Sequence, residues 1–359
     1  MPTYLQARFI ARAINSVQSQ TLEDWELIIV DDGSPDDTAD VVAAALADPR
    51  IAYHHLPRNG GVGAALNQAM ERAHGRLIAY LPSDDVYYPE HLASLAAILQ
   101  SGDGAVLAYS GVRHHHRRTV PGQIEGEPLQ LVQVMHRVTE ERWTERRELV
   151  SDDLDVLFWS KLRPHGAFAG SGAVSCEWAD HPEQSHKIIR EPMGGINPYR
   201  ARFGVREPMR FQSSVGNMID EVERYRAFRE RPDTPPARDS LNIVLTGELA
   251  YNAERVLALE ERGHRLFGLW MPEPQWFNTV GPVPFGHVED LPRRGWREAL
   301  RALPSAMIYA LLNWQAVPFA AEVLRANPGI PFVWHFKEGP TVALEKGFWP
   351  DLVELMTRA

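Results

Sequence analysis

The chain has very little cysteine and no long hydrophobic run. Cys176 is the single cysteine among 359 residues, which excludes a disulfide within the chain and favours a reducing compartment. The most apolar long stretch, 306–324, is interrupted by polar residues and a proline, which argues against a transmembrane helix. The beginning of the chain lacks the charged and then apolar pattern of a secretory leader. We therefore expect a cytoplasmic protein, with peripheral membrane contact left open.

Basic residues are also fewer than acidic residues. There are 37 basic and 47 acidic residues, which gives a formal net charge of -10. A nucleic-acid-binding protein needs a basic surface, so we expect no nucleic acid among the partners. The apolar fraction of 44% is ordinary for a soluble globular chain, and the length of 359 residues predicts two domains.

Two pairs of adjacent carboxylates follow predicted strands. Asp31–Asp32 comes after the β-rich run 25–30, and Asp84–Asp85 comes after the apolar run 77–81. Strand and helix patterns alternate here, with helices predicted over 5–19 and 64–73, and further helical patterns lie at 129–137 and 143–149. The alternation predicts an α/β fold with a mostly parallel sheet. Ligands of such sheets bind at the carboxyl ends of the strands, so we expect both pairs to face one crevice and to hold a divalent ion. Alternatively, the second pair caps the helix that begins near Pro89.

A second α/β unit is predicted after a linker. The segment 229–240 is polar and rich in proline, as linkers are. We assign 1–228 to the first domain. The segment 241–359 again alternates strand and helix patterns, which predicts a second, Rossmann-like unit.

The motifs of the first domain resemble those of the family 2 glycosyltransferases, which have the GT-A fold. The run 24–34 is similar to the nucleotide-binding signature of that family, and 58–61 together with Asn67 is similar to its second motif. The run 79–85 looks like the D-x-D metal motif of the family, and 151–155 resembles its base motif. The motifs follow one another in the order that the family has.

The resemblance implies an inverting, metal-dependent transfer of a sugar from a nucleotide-diphosphate donor, with UDP-sugars favoured. The acceptor would be a hydroxyl of a carbohydrate or a lipid-linked molecule, for example in a bacterial cell-envelope polysaccharide. Negative charge develops on the leaving diphosphate, and Mn²⁺ or Mg²⁺ held by Asp85, with Asp84 assisting, would stabilise it. Asp153, or second Asp152, would act as the general base. The residues expected to bind the nucleotide sugar are Pro2, Thr3, Tyr4, Asp31, Asp32, Arg58, Asn59, Gly60, Asn67, Ser83 and Asp84.

The sequence departs from the family pattern at two places. Members of the family begin with an apolar strand before the Pro2–Tyr4 motif, and this first strand is absent here. Its loss would leave backbone groups of the neighbouring strand unpaired. Pro82 stands where many members carry an aspartate, so metal binding would depend on Asp84 and Asp85.

The second unit resembles the N-terminal half of a GT-B glycosyltransferase. The run 334–338 follows a predicted strand, where that fold often places an acceptor-side histidine, here His335. The nucleotide-sugar site of GT-B enzymes belongs mainly to their C-terminal half. The resemblance therefore implies that this unit does not transfer sugar by itself.

Several histidines and aspartates allow a second interpretation. The histidine run 114–116 favours a solvated cationic loop over a metal site, because adjacent side chains on extended backbone point to opposite faces. The pair Asp152–Asp153 also fits the N-cap of the helix that follows it. His181 and His186 are candidates for a late metal ligand, although a surface or loop position is favoured for both.

Two other functions compete with the transferase. A catalytically impaired chain would act as a nucleotide-sugar-binding module, an interpretation motivated by the missing first strand. A sugar nucleotidyltransferase shares the α/β plan and the metal carboxylates, but it needs a glycine-rich, arginine-containing turn after its first strand, which this sequence lacks. The spacing of the glycine-rich turn 60–63 also excludes a dinucleotide-dependent dehydrogenase.

Overall fold

A computed structural model of the chain describes residues 1–114, 119–120, 129–191, 195–226, 230, 234–247, 253–270, 287–292, 294–304, 306–312, 314–336 and 339–359. Most of the histidine-rich loop, 115–118, and the end of the acceptor-side run, 337–338, lie outside these residues. Within the described part of the chain, no helix has the length and apolar character that crossing a membrane requires.

The chain divides into two compact units. The first contains Met1–Lys187 and Phe211–Asn217, and the second contains Ile188–Arg210 and Met218–Ala359. The segment Ile188–Arg210 belongs with the second unit because the buried guanidinium of Arg200 pairs there with Glu221. This division differs from the boundary expected at 229–240, and that linker, of which 229 and 231–233 are not described, stays a prediction.

Strands and helices alternate along the first part of the chain. The strands up to residue 212 are β1 (Pro2–Thr3), β2 (Leu27–Asp31), β3 (Ile51–His55), β4 (Leu77–Ala79), β5 (Val86–Tyr87), β6 (Ala105–His114), β7 (Thr119–Val120), β8 (Val134–Arg137), β9 (Val150–Ser151), β10 (Ala167–Trp178) and β11 (Arg210–Gln212). The helices up to residue 203 are α1 (Ile10–Gln18), α2 (Thr38–Ala43), α3 (Val62–Met70), α4 (His91–Gln100), α5 (Leu154–Leu162), α6 (Ser185–Ile189) and α7 (Ile196–Phe203).

The first sheet of this unit is parallel and has the order β1-β2-β3. Every residue of β2 is buried, as expected for a continuous apolar run covered on both faces. Ile29 packs in the cluster that contains Ile14 of α1, whereas Val30 packs with Ala65 of α3. Alternate residues therefore face opposite helices, and the carboxyl end of β2 delivers Asp31 to the rim of the sheet.

The short strand β1 pairs with β2 where the sequence leads us to expect unpaired backbone. The terminal ammonium of Met1 donates to the Ile28 carbonyl at 2.8 Å, and the Met1 carbonyl accepts from the Val30 N–H at 2.9 Å. Further along, the Thr3 carbonyl accepts from the Asp32 N–H at 2.9 Å. Residues 1–3 therefore pair with the edge of β2 that lies opposite β3.

The second sheet is mixed and has the order β4-β8-β6-β10-β5. Strands β6 and β10 run parallel, while β4 with β8, β8 with β6, and β10 with β5 run antiparallel. The sequence pattern predicts a helix over 129–137, and this prediction is wrong: β8 occupies the end of that segment. Pairing on both sides, with β4 and β6, outweighs the local helical pattern.

The second unit contains a five-stranded sheet in which all strands are parallel. Its strands are β13 (Asn242–Gly247), β14 (Arg265–Leu269), β15 (Val288–Asp290), β16 (Ala306–Leu312) and β17 (Phe332–Phe336), and the short strand β12 (Met218–Asp220) precedes them. Its helices from residue 221 onward are α8 (Glu221–Arg224), α9 (Ala253–Glu261), α10 (Trp296–Ala302), α11 (Val317–Ala326), α12 (Pro340–Glu345) and α13 (Trp349–Arg358). The order β15-β14-β13-β16-β17 is that of a Rossmann-like sheet, which confirms the predicted α/β class.

Candidate active site

The carboxyl end of β2 carries the first acid pair. The Asp31 side chain is buried, and its Oδ1 accepts a hydrogen bond from the Ser34 N–H at 2.9 Å. Its Oδ2 accepts from the Tyr53 hydroxyl at 2.5 Å and lies 3.4 Å from Nδ1 of His55. The protein therefore engages both oxygens, which fixes the orientation of this carboxylate.

Asp32 orients the glycine-rich turn that follows β3. Its Oδ1 accepts from the Gly60 N–H and its Oδ2 from the Gly61 N–H, each at 2.7 Å. Burial raises the pKa of the Asp32 carboxyl to about 6, although these two N–H donors and the charge of Arg146 act in the opposite direction. Ionised Asp32 thus holds the turn with both of its oxygens.

The turn after β2 packs directly against the turn after β3. At Gly33 the φ angle is +78°, and an added Cβ would lie 2.8 Å from the carbonyl carbon of Arg58, so glycine is required there. The Nδ2 group of Asn59 donates to the Asp32 carbonyl at 3.2 Å, and the Arg58 side chain is exposed. The structure therefore brings together Asp32, Arg58, Asn59 and Gly60, four of the residues that the sequence analysis selects.

Arg146 holds the same turn and is not among the residues that the sequence predicts. Its guanidinium donates to Oδ1 of Asn59 at 2.6 Å and to the Asn59 carbonyl at 2.5 Å. A Cβ added at Gly61 would lie 3.1 Å from Cβ of Arg146, so the stem of the arginine lies against the glycine. The separation of 87 residues leaves no local signal of this contact in the sequence.

Asn67 fastens the segment that contains Arg146 to α3. Its Nδ2 group donates to the Trp143 carbonyl and to Oε1 of Glu145, each at 3.0 Å, and its Oδ1 accepts from the Trp143 N–H at 2.8 Å. Asn67 therefore contacts this segment and positions Arg146. The helix that the sequence predicts over 143–149 is absent, because the Trp143 backbone bonds to the Asn67 side chain.

The residues of β1 lie beside the first acid pair. Pro2 pairs with Val30, and Thr3 pairs with Asp31. The Thr3 hydroxyl is buried and has no hydrogen-bond partner in the described part of the chain. Leaving a buried polar group unpaired costs about 1–3 kcal/mol, so this hydroxyl is a group that a ligand can satisfy. Tyr4, next in sequence, is half-buried.

The second acid pair follows β4, and its first member contacts His181. Oδ2 of Asp84 lies 2.9 Å from Nε2 of His181, and both side chains are largely buried. The His181 ring stacks on Phe9 with 4.6 Å between centroids, and its Nδ1 is buried without a partner among the described residues. His181 therefore lies in a loop, one of the two positions that the sequence favours, but its side chain is buried and not at the surface. His186 lies instead against Trp178, with ring centroids 5.8 Å apart.

Asp85 points into the protein. Its side chain is 2% exposed, and its Oδ1 accepts from the Ala179 N–H at 2.8 Å. Burial, and then the neighbouring charge of Asp84, raise the pKa of Asp85 well above its ordinary value. Because a carboxyl group must be deprotonated to bind a metal ion, this geometry favours Asp84 over Asp85 as a ligand. Ser83, just before the pair, is also buried.

The chain segment 5–12 contacts the surroundings of both acid pairs. The Leu5 N–H donates to Oγ of Ser34, the residue whose N–H binds Asp31, at 3.0 Å. Arg12 donates through Nη2 to the Asp84 carbonyl at 2.8 Å. The eight-residue segment 5–12 thus contacts a neighbour of the first pair and a backbone carbonyl of the second.

The motif at 79–85 implies a divalent ion, which requires several ligand atoms close together. In the part of the chain that the structure describes, no three His, Cys, Asp or Glu side chains form a group that could hold a metal ion. Asp84 and His181 offer an oxygen and a nitrogen side by side. An ion held by the Asp84 carboxylate would take further ligands from water and the diphosphate of a donor, which is the usual arrangement for Mg²⁺.

The predicted base residues lie where β9 ends and α5 begins. Asp152 accepts hydrogen bonds from Ser214, from its N–H at 2.8 Å and from its hydroxyl. Asp153 is the N-cap residue of α5, although its side chain makes no capping hydrogen bond. Asp153 therefore occupies the N-cap position that the alternative interpretation predicts. The capping hydrogen bond that would explain an aspartate at this position is not made.

Comparison with known proteins adds sequence evidence. Residues 1–150 match the family model described as glycosyl transferase family 2. An uncharacterized glycosyltransferase of Nostoc sp. is 38% identical over 113 residues, which are 31% of this chain and 34% of that protein. The putative teichuronic acid biosynthesis glycosyltransferase TuaG of Bacillus subtilis is 40% identical over 92 residues, 25% of this chain and 36% of that protein. The putative colanic acid biosynthesis glycosyl transferase WcaA of Escherichia coli is 40% identical over 98 residues, 27% and 35% of the two chains.

These matches are confined to part of each protein. The chain spans about a third of the length of these three relatives. Among solved structures, TarS of S. aureus aligns with a TM-score of 0.44 and 20% identity over 53% of this chain and 37% of that one. A structural likeness at this level assigns no ligand or reaction.

Proposed function

Residues 1–150 form a glycosyl transferase family 2 domain of the GT-A type, and from this premise we propose that the chain transfers a sugar from a nucleotide-diphosphate donor to an acceptor hydroxyl. The observation that carries the proposal is the pair of linked turns held by Asp32. Both of its oxygens bind the glycine-rich turn, while Asp84 and His181 stand together beyond the segment 5–12. We favour a UDP-sugar as the donor, since a carboxylate such as Asp31 can accept from uracil N–H and ribose hydroxyl groups.

The chemistry requires stabilisation of the charge that develops on the leaving diphosphate. Asp84 and His181 would hold Mn²⁺ or Mg²⁺, and the bound ion would supply this stabilisation. The buried Thr3 hydroxyl would donate to the nucleotide, and Asp32 would keep the N-terminal end of α3 in place. Asp153 would accept the proton of the acceptor hydroxyl, as the resemblance of 151–155 to the base motif implies. Inversion at the anomeric carbon follows from a single displacement of this kind.

For the acceptor we propose a carbohydrate or lipid-linked precursor of a bacterial cell-envelope polysaccharide. The support is indirect and comes from the names of two relatives, one for teichuronic acid and one for colanic acid biosynthesis. The match covers about a third of each of those proteins, and a panel of acceptors assayed with this chain would identify its own acceptor.

Two neighbouring substitutions test the donor site by calorimetric titration of UDP with Mn²⁺ present. We expect Asp84→Asn to weaken binding about ten-fold or more, because an amide replaces the charged ligand of the ion. Asp85→Asn should leave the affinity within a few-fold and change the melting temperature little, since burial already disfavours the charge of Asp85 and an amide oxygen still accepts from the Ala179 N–H. The opposite ranking would restore Asp85 as the main ligand, as the sequence motif predicts. Unchanged affinity in both variants would refute the metal site.

Turnover separates a transferase from a module that only binds the nucleotide sugar. Release of UDP from a UDP-sugar in the presence of Mn²⁺ should fall sharply in Asp153→Asn while UDP affinity stays unchanged. Binding without any release in the unaltered protein, across a panel of donors and acceptors, would favour the binding module.

A further inference from the structure

We infer that the second unit carries a separate site for an oxyanion, a phosphate or carboxylate group of a small ligand, built by Arg255, His335 and Tyr309. The three side chains come from α9, β17 and β16. Nη1 of Arg255 lies 2.7 Å from Nδ1 of His335 and 3.4 Å from the Tyr309 hydroxyl. All three are half-buried and belong neither to the family 2 domain nor to the acid pairs.

The sheet topology brings these residues to the place where open parallel sheets bind ligands. The chain builds β13, β14 and β15 outward on one side and then returns to add β16 and β17 on the other. The order therefore reverses between β13 and β16, and ligands of such sheets bind outside the carboxyl ends of the strands at this reversal. Arg255 belongs to the helix that follows β13, and Tyr309 and His335 belong to the strands across the reversal.

The register of the strands puts the two ring side chains on one face. Tyr309 pairs with Val333, and Leu311 pairs with His335. His335 lies two residues beyond Val333, so its side chain projects from the same face as that of Tyr309. Leu245 and Val256 pack on this face with Tyr309, and Val256 adjoins Arg255 on α9. The guanidinium therefore approaches both rings from a helix that covers this face.

The charge of Arg255 has no counterpart in the described part of the chain. No carboxylate of that part lies within 4.0 Å of it, in contrast to Arg200, the deeply buried arginine of this unit, which pairs with Glu221. Arg255 also lies in the first turn of α9, where the helix dipole disfavours a positive charge. The described contacts of this half-buried cation are hydrogen bonds to His335 and Tyr309, neither of which is a carboxylate, so an external anion would supply the missing negative charge.

The three groups offer donors only. Nδ1 of His335 accepts from Arg255, which leaves the ring proton on Nε2, and the Tyr309 oxygen accepts from the same guanidinium and keeps its own proton to donate. The rest of the planar guanidinium is available for a two-pronged contact with a phosphate or carboxylate. Hydrogen-bond donors without acceptors select an anion over a cation or an uncharged sugar.

The test is a titration of the full chain with inorganic phosphate and, separately, with acetate, in the absence of metal ions. The imidazole signals of His335 are followed by NMR and assigned with His335→Gln. We expect a saturable shift at millimolar phosphate, and Arg255→Gln should weaken the binding about ten-fold or more. Arg262→Gln is the matched control, because Arg262 directly follows the same helix, is exposed, and donates to the Ala258 carbonyl.

A further variant distinguishes loss of the binding site from loss of the folded structure. Tyr309→Phe keeps the ring and removes one donor, so it should weaken phosphate binding by a few-fold with an unchanged melting temperature. Saturation by acetate but not phosphate would identify a carboxylate ligand at the same site. Linear, non-saturating shifts with both anions, or equal binding in Arg255→Gln, would overturn the inference. The donor site of the first unit does not enter this result, because Asp84→Asn should leave the phosphate titration unchanged.

Discussion

Asp32 is the side chain on whose protonation the proposed donor site depends most directly. Burial raises its pKa from the ordinary value of 3.8 to about 6. Between these two values the folded protein binds a proton that the unfolded chain has released. The free energy of unfolding therefore falls as the pH rises through this range, by about 3 kcal/mol for the whole shift.

Ligand binding should respond to pH in the opposite direction. Protonated Asp32 cannot accept well from both Gly60 and Gly61, so the affinity for a UDP-sugar should fall as the pH drops through about 6. Calorimetric titration across this range measures the effect, and a UDP-sugar is a suitable probe because its linked phosphates lack the second ionisation near pH 6. An affinity that stays constant through this pH range would contradict the assignment. An affinity of the Asp32→Asn variant that falls with pH as much as that of the unaltered protein would also contradict it.

Arg146 is expected to act as a positioning residue for the same turn. Its contacts with Asn59 are charge-assisted hydrogen bonds worth about 1.5–3 kcal/mol each, so Arg146→Gln should reduce the affinity for UDP about ten-fold. Loss of its charge should also raise the pKa of Asp32 and move the pH dependence of binding upward. Arg147→Gln is the matched control, because the neighbouring arginine is exposed and pairs with Glu145 instead of Asn59. Equal effects of the two substitutions would show that the charge, rather than the contact with Asn59, matters.

The residues of the site differ in how far the sequence reveals them. Asp31, Asp32 and Gly60 follow from a strand that ends in carboxylates and from a glycine-rich turn, both of which are local patterns. Arg146 escapes prediction because it reaches the site only through a tertiary contact, 87 residues from Asn59. His181 is a candidate metal ligand in the sequence, but its contact with Asp84, 97 residues away, is not visible there. From sequence alone, a histidine in a loop is predicted to be exposed, because its tertiary contacts are not visible in the sequence.

At the scale of elements, α3 connects the donor turn to the segment 143–146. A Cβ added at Gly63 would lie 2.1 Å from the Thr144 carbonyl oxygen, closer than atoms can approach. We expect Gly63→Ala to push these elements apart, with a loss of stability of about 1–3 kcal/mol, visible as a lower melting temperature.

Val62→Ala provides the comparison for this helix. Val62 is the exposed first residue of α3, so its truncation should change stability by less than about 0.5 kcal/mol. If Gly63→Ala were as harmless as Val62→Ala, close packing of α3 on Thr144 would not be what holds the segment.

The elements that the sequence predicts correctly are those whose local hydrophobic pattern distinguishes a strand from a helix without knowledge of tertiary contacts. The apolar run of β2 and the helical patterns of α1 and α3 are covered by their own neighbours in sequence, so local reasoning finds them. Strand β8 is different, because its partners β4 and β6 lie well before it in the chain. An apolar segment of that length reads equally well as a helix, and only the sheet decides.

At the scale of the whole molecule, the alternation of strands and helices predicts two α/β units, and both are present. The parallel order of the second sheet follows from the pattern alone, whereas the mixed order of the second sheet of the first unit does not. The likeness of the second unit to half of a GT-B enzyme stays a prediction. Its inferred oxyanion site gives that unit a binding role that does not depend on the transferase.

The two acid pairs, distant in sequence, are proposed to lie at one sugar-nucleotide site, with Asp84 and His181 holding its ion. A crystal structure with UDP and Mn²⁺, with the ion located by its anomalous diffraction, tests this directly. We predict the Mn²⁺ peak beside Asp84 and His181, bridged by the diphosphate to a uridine that lies along Thr3 and Asp31. A uridine bound elsewhere, or a Mn²⁺ peak away from Asp84 in a crystal where UDP is present, would contradict the account.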